Sequence, residues 1–272
     1  MAIGTRVTFT NVSKRFRTPK RGWYQALSDL KIDIEPGQFV ALVGPTGCGK
    51  STALTLIAGL EQPSIGTVEV DGSVVSDIDT RTGFVFQHDS TFPWMNVFHN
   101  IAAGPKFRGI ENYQDLVNKW IAKVGLAGFE SNFPHQLSGG MKKRVALAQC
   151  LINEPSLLLM DEPFSALDVQ TRAIMTEELM TLWETTGSTV VFVTHDLEEA
   201  IALADRVIVL TAGPARVKAD FAIDLPRPRK ARDIRFDKRF LEIYQNIWNV
   251  LREEVDIAYQ RQLVAPGNRS AN

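Results

Sequence analysis

The sequence predicts an α/β fold built on a largely parallel sheet, and three observations carry that prediction. Short runs that are almost wholly apolar recur along the chain, as strands buried on both faces of a parallel sheet require. Helical stretches alternate with them, as right-handed crossovers between parallel strands require. One long segment, between Gln87 and Gly140, loses strand signals altogether and reads as a helical insertion.

The elements follow in order. Val7–Phe9, Leu30–Ile34 and Thr67–Val70, the last ending at the turn Asp71-Gly72, read as antiparallel strands along one edge. The buried strands are Phe39–Val43, Gly83–Phe86, Leu157–Met160, Thr189–Val193 and Val207–Leu210. Helices are expected at Ser51–Gly59, Gly140–Ile152, Val169–Thr185 and Leu197–Ala204, and at Tyr113–Val124 inside the insertion, which spans about residues 88–150. From Leu225 the composition shifts. The Pro- and Arg-rich run LPRPRKARDIR leads into Phe236–Tyr259, where Phe236, Phe240, Ile243, Ile247, Val250 and Val255 form a helical stripe. The expected organisation is a main domain over residues 1–225 and a C-terminal connector and helix over 226–272, the basic run being solvated and the helix covering its own domain.

Composition narrows the function classes. Of 272 residues 44% are apolar and 22% charged, and the formal net charge is −1, which gives no reason to expect a nucleic-acid partner held by phosphate neutralisation. Cys48 and Cys150 have neither metal-ligand spacing nor a disulfide framework, as suits a reducing compartment. The N-terminal segment lacks the long apolar core of a signal peptide, and no apolar run approaches the roughly 20 residues that span a bilayer. The expectation is a soluble protein whose membrane role, if any, comes through a partner.

The segment FVALVGPTGCGKST, Phe39 to Thr52, is a buried strand, a glycine-rich turn and a helix start. Gly44 through Ser51 fits the phosphate-loop pattern G-x-x-x-x-G-K-[ST]. The glycines of the loop Gly44, Pro45, Thr46, Gly47, Cys48 and Gly49 let its backbone N–H groups turn inward around phosphate oxygens, and the helix N-terminus adds partial positive charge. Lys50 reaches the β- and γ-phosphates, Ser51 is placed for Mg²⁺, and Thr52 adds a phosphate hydrogen bond. The pattern establishes a nucleotide and a P-loop NTPase (RecA-like) core, which many different NTPases share. Downstream, LLLMDE (Leu157–Glu162) delivers Asp161 to a strand end facing the metal. Glu162 then faces the γ-phosphate, where it can polarise water. Gln87 ends one strand and His195 another, so all these residues collect on the C-terminal edge of the sheet.

Gln136–Met141 reads QLSGGM and opens another helix, a second anion site in one domain. With this motif the chain strongly resembles the ATP-binding-cassette family from about Val7 to Leu210. The resemblance implies ATP and Mg²⁺ as cofactors and a dimer in which Ser138, Gly139 and Gly140 of one copy close on the γ-phosphate held by the other. It implies that Gln87 senses the metal and contacts a membrane subunit, that Asp161 organises the metal, that Glu162 is the general base, and that His195 is a switch. The loop Ser165-Ala166-Leu167-Asp168 would cross the dimer interface. Phe16 sits where the family stacks an aromatic on adenine, though it also fits a core phenylalanine. Met141 and Gln149-Cys150 depart from the family's usual residues without touching a phosphate ligand. Cys48, inside the phosphate loop, offers a thiol whose alkylation is expected to block nucleotide binding.

The stretch FVFQHDSTFPWMNVFHNIAAG, with Asn100, is similar to the importer group that takes up nitrate, taurine and alkanesulfonates. Phe92, Trp94, Met95, Val97 and Phe98 would then expose an apolar patch beside Gln87 for transmembrane permease subunits; the alternative is that they pack inside the helical insertion. An extracytoplasmic substrate-binding protein is implied as an indirect partner, with this chain peripheral on the cytoplasmic face of the inner membrane. Three alternatives stay open: a soluble cassette ATPase serving translation or DNA repair, an export or lipid-trafficking ATPase, and a P-loop kinase or nucleotide switch.

Overall fold

The computed structural model describes residues 4–18, 22–88, 90–165, 167–227, 229 and 234–264. The chain opens with β1 (Val7–Thr18), β2 (Gly22–Ile34) and β3 (Phe39–Val43), then α1 (Lys50–Ile57), β4 (Ile65–Val70), β5 (Ser73–Val74) and β6 (Thr82–Val85). Next come α2 (Val97–Phe107), α3 (Tyr113–Lys123) and α4 (Gly139–Leu151). The remainder is β7 (Leu157–Asp161), α5 (Val169–Thr186), β8 (Thr189–Val193), α6 (Leu197–Leu203), β9 (Arg206–Leu210), β10 (Val217–Ala222) and α7 (Lys238–Val264).

These strands form two sheets. One is antiparallel, in the order β2-β1-β4-β5; the other runs β10-β9-β3-β8-β7-β6, with every neighbour parallel except the β10 edge. Strands β3, β7 and β8 are buried at every residue, and their period-2 alternation divides them between two cores. Phe39, Ala41 and Val43 pack with α5, α6 and α7, whereas Val40 and Leu42 face α1 and the antiparallel sheet. A third core, with Val97, Ile101, Val117, Ile121 and Val145, holds α2, α3 and α4 together.

The differences from expectation have physical reasons. β2 begins at Gly22, eight residues before Leu30, because backbone pairing to β1 carries its exposed first residues, Gly22, Trp23 and Tyr24. β10 has an alternation of half-buried and exposed residues with no apolar run to announce it. On α7, Phe240, Ile243 and Ile247 are buried as the stripe requires, but Leu251 replaces Val255, which is 39% exposed. Phe236 is 81% exposed because it sits in the short 3-10 turn Ile234–Phe236, ahead of the helix.

The basic connector is not simply solvated. Arg227 pairs with Asp205 at 2.6 Å and lies 4.4 Å over the Trp183 ring. Arg229 is buried and donates to the carbonyls of Ile201, Ala204, Ile223 and Leu225. Two of those carbonyls close the C-terminal end of α6, where a guanidinium complements the unpaired groups. Burial, with Arg227 nearby, lowers the pKa of Arg229 to about 10. Pro228 and residues 230–233 of the run lie outside the described residues.

Candidate active site

The sheet order places β3, β8, β7 and β6 side by side, so four loops leave one edge together. The loop after β3 runs from Gly44 to Gly49 into α1. Gly47 at φ +74° and Gly49 at φ +123° hold conformations that L side chains rarely adopt, and a Cβ on Gly49 would stand 2.8 Å from Ala26 O. Gly44, Pro45 and Cys48 form a buried floor; Thr46, Gly47 and Ser51 are exposed, with Gly49 and Thr52 half-buried. The buried Lys50 returns its Nζ to Gly44 O (2.8 Å) and Pro45 O (3.0 Å), which keeps the ammonium within the loop's curve.

A residue that the sequence did not single out braces this loop. Tyr24 donates its Oη to Gly47 O at 3.1 Å. It lies opposite the half-buried Phe16 in the β1–β2 register, so the cross-strand partner of Phe16 touches the phosphate loop. Lys14 Nζ lies 4.8 Å from the centroid of the Phe16 ring.

Asp161 is the last residue of β7, and its carboxyl lies close to the Ser51 hydroxyl at the start of α1. Burial raises the Asp161 pKa, against the pull of the Ser51 hydroxyl. Its Oδ1 is buried without a hydrogen-bond partner. An orphaned carboxylate oxygen beside a serine hydroxyl fits a hard cation with oxygen ligands, such as Mg²⁺.

Glu162 follows at φ +44°, a left-handed conformation that strains any non-glycine residue. Its N–H donates to Val193 O (2.9 Å), and its own carbonyl accepts from Ser165 N (3.2 Å) and Ser165 Oγ (3.0 Å). The sharp turn separates the two acids: Asp161 faces Ser51, while Glu162 Oε2 accepts from Gln87 Nε2 at 3.1 Å and lies 3.2 Å from His195 Nδ1. Gln87, Glu162 and His195 thus meet at one carboxylate oxygen although they come from three loops.

The Gln87 loop is also fixed from below. Lys143 of α4 is buried and donates to Phe86 O (3.0 Å) and Gln87 O (2.5 Å), so the helix opened by Ser138 holds the loop that carries Gln87. Asn100 is fully buried; it accepts from Phe92 N (2.7 Å) and donates to the carbonyls of Phe92, Met95 and Asn96, which shapes the following loop. Of the expected apolar patch, Trp94 is 69% exposed, Phe92, Met95 and Phe98 are half-buried, and Val97 is buried in the third core. Val97 therefore leaves the patch, because helix α2 starts there and turns it inward.

Other expected residues stand apart. Ser138 caps α4, its Oγ accepting from Met141 N at 3.3 Å, and Ser138 and Gly139 are exposed with Gly140 half-buried. Asp168 precedes α5, its Oδ1 accepting from Gln170 N (3.1 Å); Ala166 in the same loop lies outside the described residues. Cys48 corrects an expectation. It is 2% exposed, and burial raises its thiol pKa despite Lys50, so the thiolate that alkylation needs is both scarce and shielded.

Comparison with known proteins supplies the deciding observation: residues 27–165 match the family model described as ABC transporter. The chain belongs to the ABC transporter family. It is 46% identical over 209 residues to the nitrate import ATP-binding protein NrtD of Synechocystis, covering 76% of this chain and 79% of that one. It is 41% identical over 223 residues to the aliphatic sulfonates import ATP-binding protein SsuB of Bacillus cereus (82% and 88% covered). With the taurine import ATP-binding protein TauB of Jannaschia the identity is 37% over 252 residues (91% and 94%). Its fold superposes on the ATP-binding cassette MJ0796, solved as a post-hydrolysis dimer bound to ADP and Pi. The TM-score is 0.73 at 31% identity, covering 81% of this chain and all of that one. Like the members of its family, the chain is an ATPase, which removes the kinase and simple-switch alternatives.

Proposed function

We propose that this ATPase is the motor subunit of an importer for a small oxyanion of the nitrate, taurine or alkanesulfonate kind. The observation that carries the catalytic part is the shared contact at Glu162 Oε2, where Gln87 and His195 converge beside the phosphate loop. ATP phosphates take the Gly44–Thr52 cradle, with Lys50 swinging from its carbonyl partners to the β- and γ-oxygens. Glu162 orients the attacking water and accepts its proton, while Gln87 and His195 hold that carboxylate in place. Ser51, Asp161 and Gln87 would hold Mg²⁺, which when bound neutralises charge on the phosphates. Phe16 takes the adenine, and Ser138, Gly139, Gly140 and Asp168 serve across a homodimer. The same reading divides the chain into a nucleotide-binding domain (residues 1–225, helical subdomain about 88–150) and a C-terminal segment (226–272).

The importer part is supported by the relatives and by a surface. A groove of about 620 Å³ beside the Gln87 loop is lined by Phe84, Phe86, Phe92, Phe107, Arg108 and Gln149, among others, and suits a helix of a permease subunit. No helix among the described residues is long and apolar enough to cross a membrane. On the importer reading, supported by the relatives, the chain sits at the cytoplasmic face of the inner membrane, its substrate delivered by an extracytoplasmic binding protein.

The test is purification of tagged Glu162→Gln protein from detergent-solubilised native membranes. The expected companions are a multi-span permease and a binding protein that takes nitrate, taurine or an alkanesulfonate in a direct binding assay. A permease without a binding protein would favour export or lipid traffic, and only soluble companions would overturn the transport reading.

A further inference from the structure

A charged cluster lies behind His195, and nothing in the hydrolytic scheme uses it. Arg172, in the first turn of α5, reaches three segments at once. Its Nη2 donates to Leu167 O (3.3 Å), its Nη1 to Asp196 Oδ2 (3.2 Å), and its Nε lies 3.4 Å from Glu199 Oε1. Glu199, with its side chain 10% exposed, accepts from Thr194 Oγ1 at 2.7 Å, and the same hydroxyl accepts from Asp196 N at 3.0 Å. Asp196 in turn caps α6 through Glu198 N (2.9 Å) and Glu199 N (3.3 Å). Both chain neighbours of His195 are therefore fixed from Arg172, Asp196 directly and Thr194 through Glu199.

The other end of the cluster is the Ser165–Asp168 loop. Leu167 O is an Arg172 acceptor, and Ser165 holds the Glu162 carbonyl. Glu162 is thus bracketed: its backbone is bound to the loop, its carboxylate to His195, and Arg172 spans the two. Only a guanidinium suits this position, because its planar fork presents several donors in fixed directions, whereas a lysine ammonium is a single compact charge on a flexible stem. Removing it would also leave Asp196 and Glu199 facing one another as like charges.

We propose that Arg172 is a positioning residue that locks the Ser165–Asp168 loop to the His195 strand end, so that the loop and the His195–Glu162 pair move as one unit. The proposal rests on the reading of Glu162 and His195 as the hydrolytic pair. Its consequence is specific: Arg172 acts on turnover through His195, and it has no part in holding nucleotide.

The experiment is a double-mutant cycle on the full chain, reading kcat, KM for ATP and equilibrium nucleotide binding for Arg172→Gln, His195→Ala and the pair. The expected result for Arg172→Gln is a fall in kcat of about tenfold or more, with KM and binding within about twofold of wild type. In the His195→Ala background the same substitution should change turnover by less than about twofold, because contacts acting through one residue are not additive. Arg172→Lys should recover only a small part of the loss, and it carries the same cycle if Arg172→Gln fails to fold. Losses that multiply, or a loss shared by nucleotide binding and thermal midpoint, would reduce Arg172 to a structural residue and overturn the proposal. Wild-type kcat in Arg172→Gln would overturn it alone, whereas wild-type kcat in His195→Ala would bring down the hydrolytic reading and this inference with it.

Discussion

Two glycine-bearing loops open helices in this chain, and the fold finishes them differently. The loop before α1 is braced from within the chain: Lys50 binds its first carbonyls, Tyr24 braces Gly47, and Ser51 lies close to Asp161. The loop before α4 caps its own helix through Ser138 and otherwise presents Ser138 and Gly139 to solvent. Both have N–H groups at a helix N-terminus, where anions are favoured. Similar helix-start chemistry thus yields one loop held by partners within the chain and one left open to solvent; on the proposed reading the open loop is completed by a second copy. The helix under the exposed loop is not idle, since Lys143 grips the Gln87 segment from it. Whatever seats on Ser138 and Gly139 has a short mechanical path to the Glu162 site.

The largest expected effect breaks chemistry from binding in the closed half. Glu162→Gln keeps the shape of the side chain and its contact with Gln87 but removes the proposed base, so turnover should fall by about 10²–10⁴-fold while ATP still binds. Single-turnover hydrolysis set beside equilibrium nucleotide binding reads both quantities, and a mutant that hydrolyses at the wild-type rate would end the assignment.

A second substitution sharpens the contrast from the open half. A Cβ on Gly139 meets no atom within 4 Å, and an acid in the first turn of a helix is favoured. Gly139→Asp should therefore fold and bind ATP as before. It should nevertheless repel a γ-phosphate approaching α4, so turnover should drop on the order of 10²-fold and ATP-driven dimerisation, followed by size-exclusion chromatography with the Glu162→Gln background, should disappear. Normal turnover would mean that this loop never meets nucleotide.

The same contrast explains what could be read in advance. Three buried strands of the second sheet announce themselves because each is an apolar run that ends at a candidate site residue: Val43 before Gly44, Asp161 and Glu162 after Leu157–Met160, His195 after Thr189–Val193. Position along a strand is a local property, and a phosphate loop is a contiguous motif. Arg172, Glu199, Lys143 and Tyr24 act through tertiary contacts between segments far apart in sequence, and each alone looks like an ordinary helix or strand residue. Arg229 misleads for the opposite reason. A run of arginines and prolines reads as solvated, and its burial depends on carbonyls left open at the end of α6. Val97 follows the same logic, since the inward face of α2 exists only once α3 and α4 pack against it.

The smallest expected effect concerns Cys48, which divides the properties of its loop. Sequence position places it within the cradle, yet its side chain points into the floor, with the Sγ 3.0 Å from where a Cβ on Gly44 would stand. A raised pKa and near-complete burial act in the same direction on reactivity, because the nucleophile is the thiolate and it must meet the reagent. Alkylation by iodoacetamide at neutral pH should therefore be slower at Cys48 than at the same cysteine in the denatured chain, and short treatment should leave ATPase activity nearly unchanged. Mass spectrometry of timed samples gives the rate. Rapid labelling of Cys48 in the folded protein, protected by ATP, would show instead that the floor opens readily, and the description of this floor as shut would have to yield to one in which it breathes.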